Sequence, residues 1–156
     1  MKTIHAAIGV IYNSKNKILI TKRRPHQVYA GYWELPGGKI EESEDPAQTI
    51  IRELHEELDI IIQKTQFLDT ITYQYPEFCV ILEVFKILEF TGEIYGKEGQ
   101  EIAWLDQNKL DQNELEQDDL DQDDLGDLGL KLITSNNLKQ VSPLLPASSQ
   151  VLDLLK

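Results

Sequence analysis

The sequence predicts one α/β domain. Three observations point there. Apolar, β-branched segments come in pairs on both sides of residues 46–58, which carry helical periodicity and a proline at the first helical position. Turn residues separate the members of each pair. The 156 residues are 41% hydrophobic and 27% charged, a globular composition long enough to bury a core.

The elements follow in order. Residues 3–12 and 17–23 are apolar and rich in β-branched side chains, and Asn13, Ser14, Lys15 and Asn16 between them are turn formers, so a β-hairpin is expected. Pro25, Gly31, Pro36, Gly37 and Gly38 mark residues 25–39 as a loop with little regular structure. The helix over 46–58 starts at Pro46, with Glu44 and Asp45 placing negative charge at its N-terminus. At about 100° per residue, Ala47, Ile50, Ile51, Leu54 and Leu58 form its buried stripe. Residues 66–75 and 78–90 are β-rich, with Pro76 and Glu77 between them, and predict a second hairpin. A short strand is expected over 100–105 and a last helix over Ala147–Leu155, burying Val151, Leu152, Leu154 and Leu155.

Charge is concentrated in one place. Of the net −12, residues 106–127 carry −9 through ten acids and one lysine, which leaves −3 for the rest. The total of −12, taken alone, argues against a nucleic-acid-binding surface, but the rest of the chain is only mildly acidic and clusters Lys22, Arg23 and Arg24, cations able to meet phosphates or a base. Leu105, Leu110, Leu115, Leu120, Leu125 and Leu130 recur every five residues, a period that fits neither a helix nor a strand face. Pentapeptide solenoids share the period but want a small apolar residue where this chain has Asn108, Asn113, Asp118 and Asp123. Residues about 106–131 are therefore expected to be a solvated, acidic low-complexity insertion in a single domain spanning 1–156, or else a docking segment for a basic partner. No run approaches 18 apolar residues, so no membrane span is expected, and the N-terminus reads as a strand and turn rather than a leader. The lone Cys79 forbids an intrachain disulfide, is compatible with a reducing cytoplasm, and lies in an apolar run where a buried core thiol is expected.

The chemistry lies between residues 37 and 60. On the predicted helix, Glu53, Glu56 and Glu57 sit beside the apolar stripe at spacings of three and four. Such like charges repel by a few tenths of a kcal/mol per pair, about 0.2–0.5 each, so something must compensate. A hard divalent cation shared between carboxylates and substrate phosphates does so. The preceding Gly37-Gly38 pair lets backbone approach a ligand and expose a carbonyl. There is no P-loop motif, and one cysteine with three scattered histidines makes no zinc pattern.

The same segment resembles the Nudix box, a glycine, a glutamate six residues on, and then R-E-U-x-E-E-x-G-U, where U is a bulky aliphatic. Gly38, Glu44, Arg52, Glu53, Leu54, Glu56, Glu57 and Ile60 match, and Asp59 stands where the family has glycine. Matches of this number arise by chance about once in 10⁸ windows, which sets aside a merely solvated acidic helix. Asp tolerates the left-handed conformation better than most residues, so the turn is expected to survive. The resemblance to the MutT subfamily extends to the ITKRR run, to Trp33 through Lys39, to Gly96-Lys97-Glu98-Gly99-Gln100 and to Leu145-Pro146-Ala147.

The resemblance implies an α/β/α sandwich on a mixed β-sheet and a Mg²⁺-dependent hydrolase, with Mn²⁺ as a substitute ion. It implies cleavage of a nucleoside triphosphate to the monophosphate and pyrophosphate, 8-oxo-dGTP foremost, in nucleotide-pool sanitisation serving DNA replication and repair. Glu53, Glu56, Glu57, the Gly37 carbonyl and Glu98 are the implied metal ligands. Glu53 is the first choice for general base, because the attacking water needs a carboxylate within reach, and Glu98 is the second catalytic candidate. Arg52 is expected to orient the glutamates, and Glu44 to organise the loop or cap the helix. Arg23, Glu34, Leu35, Pro36, Gly37, Phe78 and Ser148 are the substrate-binding candidates. Arg23 is equally readable as a surface arginine, and Phe78 as a core residue. Ser148 replaces a subfamily Asn that reads the purine edge, and a hydroxyl cannot offer the bidentate amide pattern. The expected partner is a small nucleotide, with neither stable nucleic-acid binding nor a membrane, and the expected state is a cytoplasmic monomer. The competing readings are a Nudix hydrolase of another nucleotide and a non-catalytic nucleotide sensor.

Overall fold

The computed structural model describes residues 1–107 and 144–156, which form two compact units. The first comprises Met1–Ile11, Leu35–Glu98 and Pro146–Lys156; the second comprises Tyr12–Glu34 and the described part of Gly99–Leu145. The acidic insertion expected over about 106–131 lies outside the described residues, apart from Asp106 and Gln107.

The first unit is an α/β/α sandwich. Its strands are β1 (Lys2–Val10), β4 (Gly37–Lys39), β5 (Ile61–Gln74) and β6 (Phe78–Thr91), and its helices are α1 (Pro46–Leu58) and α2 (Pro146–Leu154). The sheet order is β4-β1-β6-β5. β1 runs parallel to β6 and antiparallel to β4, and β5 and β6 form an antiparallel hairpin, so the sheet is mixed. Gly9 is what brings α1 down onto it: a Cβ there would lie 3.0 Å from Leu54 Cδ1 and 3.4 Å from Ile50 Cδ1. Side chains alternate across a strand. Ile8 therefore faces away from α1 with its partner Val84, as does Leu82 opposite Ile71, and all four are buried. On that side α2 lies against β5, burying Val151 and Leu152, and the Tyr75 hydroxyl accepts the Ala147 N–H (3.3 Å).

The second unit holds an antiparallel sheet in the order β3-β2-β7, made by β2 (Ile18–Lys22), β3 (Trp33–Glu34) and β7 (Ile102–Leu105). Ile18, Leu19 and Ile20 are all buried, so β2 is a continuous apolar run. Trp33 is fully buried, its carbonyl accepting the Leu145 N–H (2.8 Å) and its ring lying 5.9 Å from Lys22 Nζ. Among the described residues no helix is long and apolar enough to cross a membrane.

Five expectations are corrected, the first in α2, where Leu154, the helix's last residue, is 40% exposed instead of buried beside Val151 and Leu152. β1 and β2 join different sheets instead of forming a hairpin. The turn between them does form, with Asn13 Oδ1 accepting the Lys15 and Lys17 N–H groups and a single bridge from Tyr12 to Ile18, but longer-range pairing takes each strand elsewhere. The loop over 25–39 contains the short strands β3 and β4. Ile51 is 43% exposed, and Thr49 takes the expected place of Ala47 in the buried stripe, because α1 packs along a narrower line than the sequence suggests. Cys79 is only partly buried, since it lies near the start of β6 at the sheet's margin.

Candidate active site

The site is built on α1 and the loop that precedes it. Asp45 caps the helix in a reciprocal box: its carboxylate accepts the Gln48 N–H (2.8 Å), and Gln48 Oε1 accepts the Asp45 N–H (2.9 Å). The cap is thus Asp45, which leaves Glu44 to organise the loop. Glu44 Oε1 accepts the Glu41 N–H (3.0 Å) and the Thr49 hydroxyl (3.1 Å).

Arg52 joins the loop to the acidic face. It grips Glu44 bidentately, with Nε on Oε2 (2.7 Å) and one terminal nitrogen on Oε1 (2.9 Å), and that same nitrogen reaches the Lys39 carbonyl (3.2 Å). The other terminal nitrogen donates to Glu53 Oε1 (2.9 Å) and Glu56 Oε2 (3.4 Å). One guanidinium therefore holds loop and helix in register. The two carboxyls that it touches most closely diverge in acidity. The Arg52 hydrogen bonds, with the Glu41 backbone, hold Glu44 at about 2. Burial pushes Glu53 above the ordinary carboxylate range, against the lowering influence of Arg52, and the Glu56 charge adds to the rise. Neighbouring carboxyls pushed apart in this way are a recurrent sign of acid–base work.

The loop lies directly on Glu53. A Cβ on Gly38 would come within 2.3 Å of the Glu53 carboxyl carbon and Oε1, so only glycine leaves that carboxylate where it is. Gly37 has φ +154°, and a Cβ there would meet the Ala7 carbonyl oxygen at 2.1 Å. Pro36 fixes the loop's start, its carbonyl accepting the Gly9 N–H (2.8 Å).

At the other end of the helix, Asp59 takes the left-handed conformation (φ 58°, ψ 37°) and its N–H bonds to the His55 carbonyl. The turn therefore survives without the family's glycine, in a region that costs an ordinary residue about 1–2 kcal/mol and Asp less. Its carboxylate accepts from Lys97 Nζ (3.1 Å), while the Lys97 N–H donates to the Glu57 carbonyl (2.9 Å) and the Tyr95 N–H to the Leu58 carbonyl (3.4 Å). The exposed Glu98 follows directly in the chain.

Glu53, Glu56, Glu57 and the Gly37 carbonyl are hard oxygen donors of the kind that Mg²⁺ takes. Among the described residues no three His, Cys, Asp or Glu side chains already converge on one point. The partly desolvated Glu53 charge beside Glu56 nevertheless fits a divalent cation, which would offset both the burial and the repulsion.

The substrate-binding candidates fall in both units. In the second, one terminal nitrogen of Arg23 donates to both Glu34 carboxylate oxygens (2.8 and 3.1 Å), and its Nε donates to the Val28 carbonyl (2.5 Å). Burial pushes the Glu34 carboxyl up, against the lowering by Arg23. In the first, Leu35 and Pro36 are buried, and Phe78 stacks on Tyr75 with ring centroids 4.9 Å apart. Ser148 is only 5% exposed, and its Oγ accepts the Leu35 N–H (3.2 Å). Tyr75 and Thr49 carry no local signal in the sequence, and the Asp59–Lys97 pair carries one only in Asp59 at a glycine position.

An acidic helix face, a glycine loop laid against Glu53 and an arginine joining the two make up the candidate site of this α/β/α sandwich. The NUDIX domain matches residues 2–125, and the chain belongs to the Nudix family. It is 38% identical over 105 residues to the 8-oxo-dGTP diphosphatase of Escherichia coli (strain K12), covering 67% of this chain and 81% of that protein. To the CTP pyrophosphohydrolase of the same organism it is 30% identical over 104 residues, covering 67% and 76%. A solved MutT structure from work on Aliivibrio salmonicida and Vibrio cholerae shares 34% identity at a TM-score of 0.58, covering 71% of this chain and 86% of that one. The chain is a Nudix hydrolase homologous to 8-oxo-dGTP diphosphatases.

Proposed function

We propose that this enzyme hydrolyses 8-oxo-dGTP to the monophosphate and pyrophosphate, sanitising the nucleotide pool for DNA replication and repair. The observation that carries the reading is the Glu53 carboxylate, half-buried under Gly38, raised in pKa by burial and flanked by Glu56 on one helical face. Identity to the Escherichia coli 8-oxo-dGTP diphosphatase supports the choice of substrate.

Glu53, Glu56, Glu57 and the Gly37 carbonyl would hold Mg²⁺ or Mn²⁺, with Glu98 completing the set. When bound, the ion supplies positive charge to the phosphates and acidifies the attacking water. Glu53 takes the proton from the attacking water, its carboxylate held in place by Arg52 and the Gly38 backbone. Glu98 is the second acid–base candidate. Arg52 holds Glu53 and Glu56 in place and stays paired with Glu44.

Arg23, Glu34, Leu35, Pro36, Gly37, Phe78 and Ser148 are proposed to contact the nucleotide. Ser148 offers mainly its O–H, since its oxygen already accepts the Leu35 N–H. A single hydroxyl gives weaker discrimination among bases than an amide, and this favours a second reading, a Nudix hydrolase of another nucleotide. Identity to a CTP pyrophosphohydrolase points the same way. The proposed state is a cytoplasmic monomer without stable nucleic-acid binding, in keeping with the net charge of −12.

A product assay with Mg²⁺ tests the proposal. It compares 8-oxo-dGTP, dGTP, dATP, dCTP and CTP and separates pyrophosphate from orthophosphate, with Glu53→Gln as control. Pyrophosphate released chiefly from 8-oxo-dGTP, and lost in the variant, is the expected result. Preference for a different triphosphate moves the specificity to the second reading. Binding without turnover of any substrate leaves a nucleotide sensor.

A further inference from the structure

We propose that Asp59 and Lys97 form a side-chain clamp that sets where Glu98 stands relative to Glu53, Glu56 and Glu57. Both are positioning residues of the metal site, and the proposal rests on the reading of Glu98 as a metal ligand. Glu98 is not on α1, so its place relative to the acidic face is set by the loop that carries it. That loop is docked on the C-terminal end of α1 by the Tyr95 and Lys97 N–H groups, which take the Leu58 and Glu57 carbonyls. Gly92 begins the close approach: with φ +102°, a Cβ there would stand 2.9 Å from the Asp59 carbonyl oxygen.

These backbone contacts fix the loop's path but not the direction of the side chains beside Glu98. The Lys97 Nζ–Asp59 Oδ1 contact at 3.1 Å adds a side-chain anchor, from the residue next to Glu98 to the cap of the helix that bears the other three glutamates. The contact gives Asp59 a role that the left-handed backbone alone does not require. Glycine there satisfies the left-handed backbone but has no carboxylate for Lys97. The two side chains are 43% and 40% exposed, so the pair contributes little to overall stability, and its consequence lies in the placement of the loop.

Mn²⁺ binding without nucleotide, measured by water-proton relaxation, reads the clamp directly. Amide exchange across Gly92–Glu98 and the separate values of kcat and KM complete the experiment. Asp59→Gly and Lys97→Met are each expected to weaken Mn²⁺ binding about three- to tenfold, less than a buried second ligand-orienting partner would. They should also speed loop exchange and lower kcat with KM little changed. The double variant should be no worse than either single one. Asp59→Asn keeps an oxygen for Lys97 and should recover part of the loss. Asp59→Gly relieves the left-handed strain, so its Tm should hold or rise, which separates the effect from simple destabilisation.

Wild-type Mn²⁺ affinity and loop exchange in both single variants overturn the clamp, as do losses that add in the double variant. Glu98→Gln distinguishes the two failures. If it binds Mn²⁺ and turns over like wild type, the reading of Glu98 itself falls. If it is impaired while Asp59→Gly and Lys97→Met are not, only the clamp falls.

Discussion

At the scale of single residues, the site depends on contacts that tolerate almost no added volume. Gly38 has an ordinary backbone conformation, so Gly38→Ala is harmless to the chain but drives a methyl into the Glu53 carboxylate. Its stability should move by less than about 1 kcal/mol. Its kcat should fall by about 10²-fold, since a displacement of order 1 Å at a reacting group has that effect. Thermal melting beside steady-state kinetics checks both halves. Glu44 gives a prediction in pH. Its folded value, about 2, lies below the ordinary 4.5, so its pairing with Arg52 stabilises the fold in full above pH 4.5. That contribution disappears as pH falls through 2. Glu44→Gln should therefore melt below wild type at pH 7, and the gap in Tm should close between pH 4.5 and 2. A gap independent of pH would mean that the pairing contributes through shape alone.

At the scale of elements, α1 is where sequence and structure agree most closely and also where they part. Pro46, the acids before it and the 3.6-residue period fix both of its ends, because each of those signals is local. The width of its buried stripe is not local. Ile51 satisfies the period as well as Ile50 does, yet only packing against the sheet decides that Ile50 is buried and Ile51 is not. Ile50→Ala should cost about 2–5 kcal/mol and Ile51→Ala less than about 1, measured by denaturant unfolding. The same reasoning covers the first hairpin. Asn13 and its neighbours specify a turn, but the partner of β1 is β6, more than seventy residues away in sequence, and no turn signal carries that information. β3 and β4 were illegible because two or three residues cannot display a period. Of the candidate site, the acidic row and the glycine loop were legible as a motif. The role of Arg52 as the bridge from Glu44 to Glu53, and the docking of the Glu98 loop on the end of α1, required the third dimension.

At the scale of the whole molecule, the acidic row is a standing conflict between function and stability. Glu53 is held in a desolvated position beside Glu56, and Arg52 is shared among four glutamates, Glu41, Glu44, Glu53 and Glu56. Without metal that arrangement opposes folding; on the proposed function, an ion bound by the native state alone would make it a source of folding energy. At a Mg²⁺ concentration about 100 times Kd, the linked stabilisation is about 2.7 kcal/mol. For a chain of this length that corresponds to a rise in Tm of about 5–10 °C. Replacing Glu53, Glu56 and Glu57 together by Gln removes both the repulsion and the donors. The triple variant should melt no lower than wild type in chelator, while its Tm stays flat as Mg²⁺ is added. Arg52 keeps its bidentate partner Glu44 in that variant, so the loop should remain attached to the helix. A triple variant that still gained stability from Mg²⁺ would place the metal elsewhere than on this helix. One that melted far below wild type in chelator would show that the three glutamates serve the fold through Arg52 more than they burden it.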